Sequence, residues 1–83
     1  MTTADRLKGI LRDALSLEGR AAALTPASGL IGAIPEFDSM AVVTVLTMIE
    51  DEFGITVGDD EVSAAVFETL GTLVKFVDEK VAA

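Results

Sequence analysis

The sequence predicts an all-α domain, a four-helix bundle with a long first loop and a short third helix. Apolar residues recur at helical spacing in three separate stretches. A segment bearing Gly and Pro, without sustained period, parts the first stretch from the second, and a short acid-led stretch lies between the second and the third.

In chain order, Leu7, Ile10, Leu11, Ala14 and Leu15 form one apolar stripe, with Arg6, Lys8, Arg12 and Asp13 opposite, and predict a helix over about 3–17. Thr2 or Thr3 suits its cap. Residues 18–37 hold Gly19, Pro26, Gly29, Gly32 and Pro35 and read as a long crossover. Leu30, Ile31, Ile34 and Phe37 are apolar enough to pin that crossover onto a core. Val42, Val43, Leu46, Ile49 and Phe53 predict a second helix over 39–53, opened by Asp38 and closed by Gly54. Asp59, Asp60 and Glu61 suit the positive end of a short third helix over 59–66. Ile55–Val57 is β-branched throughout, but it has no partner strand. Leu70, Leu73, Val74, Val77 and Val81 predict the last helix over 69–82, with Thr69 as its cap and Gly71 in its first turn, where low helix propensity costs little. Residues 1–83 make one domain.

Composition narrows the chemistry. At 83 residues and 51% hydrophobic, with four Phe and no Trp or Tyr, the core is small and largely aliphatic. There is no Cys and no His, so disulfides, thiolate metal sites, a cysteine nucleophile and the commonest general base are all absent. A formal charge of −8 repels nucleic-acid phosphates and favours proteins with basic docking surfaces. Charges at Asp5, Arg6, Lys8, Arg12 and Asp13 interrupt any secretory apolar stretch, and Met40–Ile49 is too short to span a bilayer. The expectation is a soluble, cytoplasmic monomer that binds no nucleic acid.

The segment that carries chemistry is Pro35-Glu36-Phe37-Asp38-Ser39-Met40. Pro35 disfavours helix before it, Phe37 can anchor the loop, and Asp38 is a strong N-cap. Ser39 then falls at the first helical position. A phosphodiester on its hydroxyl would sit beside free backbone N–H groups at the positive helix end. Asp-Ser is equally a plain capping arrangement, and the dipeptide taken alone does not separate the two readings.

The surrounding pattern resembles the acyl carrier protein family over residues 3–81. The resemblance rests on Asp38-Ser39-Met40 opening an apolar helix and Ile49-Glu50-Asp51-Glu52-Phe53-Gly54-Ile55 closing it. Asp59-Asp60-Glu61 and Phe67-Glu68-Thr69-Leu70-Gly71-Thr72-Leu73-Val74 follow in order. It implies a 4'-phosphopantetheine arm, taken from coenzyme A by a phosphopantetheinyl transferase and attached to Ser39, with Asp38 and Met40 flanking it. The arm's thiol would supply the sulfur this chain lacks and hold an acyl group as a thioester. The carrier would perform no catalysis and would deliver its cargo to acyl-loading, condensing or acyltransferase enzymes. The resemblance also implies partner contacts at the acids Glu50, Asp51 and Asp59, and an acyl pocket at Val42, Ile49, Val62, Ala65 and Leu73, each of which is equally an ordinary core residue.

One departure stands out. The turns after Ser39 read Ala41-Val42-Val43-Thr44-Val45, where carriers of fatty-acid synthesis typically show acids. An apolar strip there marks a candidate interaction surface, with Val42 and Val45 as partner contacts. It suggests a specialised carrier, serving a polyketide-like, lipid-modifying or other dedicated acyl pathway rather than housekeeping synthesis.

Two rivals remain open. One is an aminoacyl, D-alanyl or peptidyl carrier; peptidyl carriers more often show Gly-Gly or Gly-His before the serine, whereas this chain has Phe37-Asp38. The other is an unmodified acidic helical interaction module. It is not an EF-hand, because starting the loop at Asp51 puts Phe53 and Ile55 where oxygen ligands are required. An enzyme ranks last, since Ser39 has no His to activate it and no feature brings Lys8, Lys75 or Lys80 to it.

Overall fold

The computed structural model describes Thr2 to Ala82, apart from the side chain of Asp59. Three α-helices, α1 (Thr3–Leu15), α2 (Ser39–Phe53) and α3 (Leu70–Ala82), surround an apolar core. Among the described residues every buried side chain is apolar. Leu7 and Leu11 of α1, Val45 and Ile49 of α2, and Leu70, Leu73 and Val77 of α3 are its centre. Val81, expected on the last apolar stripe, is instead exposed near the end of α3.

Local chemistry sets the helix limits. Thr2 accepts the Asp5 N–H at 3.1 Å while Asp5 accepts the Thr2 N–H at 3.3 Å, a reciprocal capping box. That Thr2 N–H holds the Asp5 carboxyl below its ordinary value. The first helix stops at Leu15, short of the expected residue 17. Ser16 turns left-handed (φ 54°), and the Leu17 N–H returns to the Arg12 carbonyl at 3.1 Å. Leu17 is thereby buried beyond the helix end. Gly54 closes α2 in the same way at φ 64°, with the Ile55 N–H on the Glu50 carbonyl at 3.2 Å.

The crossover is tied down rather than loose. A 3-10 turn, Glu18–Ala23, follows α1. The chain then bridges to the start of α3: Gly29 pairs with Thr69, and the Leu30 and Leu70 N–H groups each donate at 3.0 Å, to the Glu68 and Ser28 carbonyls. The Gly71 N–H donates to the Pro26 carbonyl at 2.9 Å, so close that a Cβ on residue 71 would lie 2.9 Å from that oxygen. Glycine at 71 therefore answers a backbone approach, a reason its helix position did not suggest. Leu30 and Phe37 pin the crossover into the core as expected, Ile34 is half-buried and Ile31 is exposed.

The short third helix takes the form of two 3-10 turns, Asp59–Glu61 and Ala64–Phe67. Ser63 between them is extended (φ −142°, ψ 167°), which prevents one continuous helix. The Glu61 carboxylate accepts the Gly58 N–H at 2.7 Å and closes the first turn; the Val66 N–H returns to the Ser63 carbonyl at 3.0 Å and closes the second. Phe67 then plunges into the core.

Candidate functional site: the start of the second helix

Asp38, Ser39 and Phe37 meet where the crossover enters α2. Asp38 is extended (φ −101°, ψ −174°), and its carboxylate accepts the Ala41 N–H at 2.9 Å while its carbonyl accepts that of Val42 at 3.0 Å. These bonds set the helix start, so Ser39 occupies the first helical position with its side chain exposed. The Ser39 and Met40 N–H groups donate to no acceptor among the described residues. Phe37 is buried, and its ring meets Phe67 edge-on with centroids 5.5 Å apart. Ser39 is thus fixed from behind by an aromatic pair and faces water in front.

Beside the serine lies an open cleft of about 530 Å³, walled by Ile31, Phe37 and Val42 on one side and by Val62, Ser63, Ala64 and Phe67 on the other. It runs from the exposed hydroxyl toward the two 3-10 turns. A second, larger groove of about 700 Å³ lies between α1, the Glu18–Ala23 turn and α2, and charged residues of both signs line it.

The residues singled out from sequence separate into groups here. Ser39, Asp38, Val42 and Val62 line the cleft. Ile49 and Leu73, expected in an acyl pocket, are fully buried and line no part of it. Ala65, expected with them, is exposed outside it. Val45, expected on the docking surface, is fully buried in the core, because it shares the inward seam of α2 with Ile49 four residues on. It is not a surface contact. Glu50 is half-buried and accepts the Val57 N–H at 2.8 Å, so its carboxylate folds the segment after α2. Asp51 is exposed and borders the charged groove. The side chain of Asp59 lies outside what is described.

Met40 and Val43 are the exposed apolar residues on α2. Val43 follows Ser39 by four residues, so helical spacing already sets it on the serine's face. Ile31 and Phe67 left no such signal, being brought to the cleft by the crossover and by the turns.

A free serine hydroxyl, two unpartnered N–H groups at a helix start and an adjoining apolar cleft fit a phosphate-linked arm with an apolar load. Residues 5–77 match the family described as the phosphopantetheine attachment site. The chain is also similar to a holo acyl carrier protein from Nitrosomonas europaea, known from a solution NMR structure. The two are 48% identical, the alignment covers 100% of each chain, and the TM-score is 0.93. The chain belongs to the acyl carrier protein family. No curated protein matches it.

The carrier shares with that structure its all-α architecture, and it takes a phosphopantetheine prosthetic group. Among the described residues no helix of this carrier is long and apolar enough to cross a membrane.

Proposed function

We propose that the carrier holds acyl intermediates as thioesters on a phosphopantetheine arm attached to Ser39 and delivers them, without catalysing their conversion, to the enzymes of a dedicated acyl pathway. The observation that carries this reading is the exposed Ser39 hydroxyl at the first position of α2, beside unpartnered N–H groups and an apolar cleft. Attachment joins the Ser39 oxygen to the β-phosphorus of coenzyme A and releases adenosine 3',5'-bisphosphate. The hydroxyl proton passes to a base on the transferase, since this chain has no His and the Asp38 carboxylate is engaged in capping. When bound, the arm supplies a thiol whose thioester keeps an acyl group activated for transfer.

The cleft is apolar at Val42, Val62, Ala64 and Phe67, which favours an acyl load over a charged aminoacyl one, since the carboxylate that lines it, Asp38, already caps α2 through its Oδ1. Intact-protein mass after incubation with coenzyme A and a promiscuous phosphopantetheinyl transferase tests the reading. The parent gains one phosphopantetheine, and Ser39→Ala gains none. A folded parent that gains nothing would leave Asp38-Ser39 as a helix cap and the chain as an unmodified interaction module.

A further inference from the structure

The cleft beside Ser39 is apolar on both walls, but an arm entering it from Ser39 is not apolar throughout. Phosphopantetheine carries two methyls near its phosphate, then a hydroxyl and two amides, and only then the thiol. The methyls suit Ile31, Phe37, Val42 and Val62. An amide taken out of water against such walls needs a hydrogen-bond partner, because its desolvation is otherwise uncompensated.

Three polar side chains line the cleft: Asp38, Ser39 and Ser63. Ser39 is the attachment point. Asp38 adjoins it and caps α2 on the Ala41 N–H at 2.9 Å, so it stands where the arm is still phosphate, and like charges hold the two apart. The amides come several bonds further along. Ser63 is exposed on the opposite wall, in the extended conformation that divides the third helical segment.

The two polar ends of Ser63 are used differently. Its carbonyl accepts the Val66 N–H at 3.0 Å and closes the second 3-10 turn. Its hydroxyl makes no capping bond, although the residue sits where a serine ordinarily caps. Hydroxyls at other turns of this chain are engaged: Ser28 Oγ accepts the Thr25 N–H at 2.9 Å, and Thr72 Oγ1 donates to the Thr69 carbonyl at 2.8 Å. Among the described residues that line the cleft, Ser63 therefore offers a hydrogen-bonding group that neither carries the arm nor holds the fold.

We infer that Ser63 is a positioning residue for the arm: its hydroxyl accepts one amide N–H of phosphopantetheine and keeps the arm, with the thioester beyond it, within the cleft. This deepens the carrier reading and rests on it. A single neutral hydrogen bond shifts such an equilibrium by about two- to tenfold. That is enough to favour the cleft and little enough for a partner enzyme to draw the arm out.

The test is amide hydrogen exchange, followed by NMR on the full holo carrier prepared with isotope-labelled coenzyme A so that both arm N–H groups are read. In the parent, one arm N–H exchanges about two- to tenfold more slowly than the same group in free coenzyme A. Ser63→Ala returns it to the free rate, and Ser63→Thr, which retains a hydroxyl, keeps the protection. The Val66 N–H, bonded to the residue 63 carbonyl, keeps its own rate in both variants and so separates loss of the hydroxyl from loss of the turn. Two arm N–H groups that exchange in the parent as fast as in free coenzyme A would overturn the inference. Protection that survives Ser63→Ala would overturn it too, by assigning the bond to another group. A parent that accepts no arm at all would instead sink the carrier reading itself, an outcome distinct from either.

Discussion

The two walls of the cleft beside Ser39 are built differently. The crossover wall is laced to the chain entering α3, its Pro26 and Ser28 carbonyls accepting from the Gly71 and Leu70 N–H groups and its Leu30 and Ile31 N–H groups donating to the Glu68 and Phe67 carbonyls, and it buries Leu30 and Phe37. The opposite wall consists of two short 3-10 turns whose Ser63, Ala64 and Ala65 are exposed. That wall is fastened at its ends, by Phe67 in the core and by Glu61 on Lys80 at 2.6 Å. Three-residue hydrogen-bonded turns are weaker than a continuous α-helix. A firm wall therefore positions the serine, while a lightly fastened one borders the space an acyl group would occupy. Local opening concentrates where few apolar contacts are buried, so the turns are the part of the cleft expected to yield.

Phe67 serves both walls, since it ends the second turn and meets Phe37 edge-on. Phe67→Ala is expected to cost about 3–5 kcal/mol in urea unfolding and to loosen the whole site. A loss near 1 kcal/mol would mean that the walls are held independently. Gly71→Ala attacks the firm wall alone. Its methyl would meet the Pro26 carbonyl at 2.9 Å, a backbone oxygen with little room to retreat. Overpacking of roughly 1–3 kcal/mol outweighs the gain in helix propensity of at most about 1 kcal/mol. A lower melting temperature is expected, with faster amide exchange at Leu30 and Leu70. A stabilised variant would show that the crossover is not clamped there.

Asp38→Ala removes the cap that sets the start of α2 and should cost about 1 kcal/mol by thermal unfolding. The smallest effect belongs to the outer fastening. The Lys80 hydrogen bond, followed by the Gly58 N–H, holds the Glu61 carboxyl below its ordinary value of about 4.5. A lowered folded-state value stabilises the fold above the unfolded value and ceases to do so as pH falls through the folded one. The melting temperature of the parent should therefore exceed that of Glu61→Gln near neutral pH, and the gap should close below about pH 4.5. A gap that persisted unchanged into acid would separate the turn's stability from this carboxylate.

Much of this fold was legible because helix signals are local. The Thr at the start of α1, Asp38 and Gly54 each mark a helix limit by their own side chain or its absence, and Ser39 follows from Asp38 by one step, whereas the partnership of Thr2 with Asp5 came only with the structure. The orientation of α2 was harder to read. Val42, Val43, Val45 and Leu46 make the helix apolar on several sides, and only packing shows that Val45 faces in and Val43 faces out. The crossover's bonds to α3 are backbone to backbone and leave no side-chain trace, except the glycine at 71 that makes room for one of them. The third helical segment carries acids suited to a helix start, yet the extended Ser63 divides it. Its division depends on the residues it packs against.

The most direct test of the account is the position of the arm in the loaded carrier. Two exposed serines, Ser39 and Ser63, stand on opposite walls of the same cleft. Tandem mass spectrometry of the peptides from loaded protein distinguishes them. The account predicts phosphopantetheine on Ser39 and none on Ser63; an arm on Ser63, or on any residue but Ser39, would contradict it.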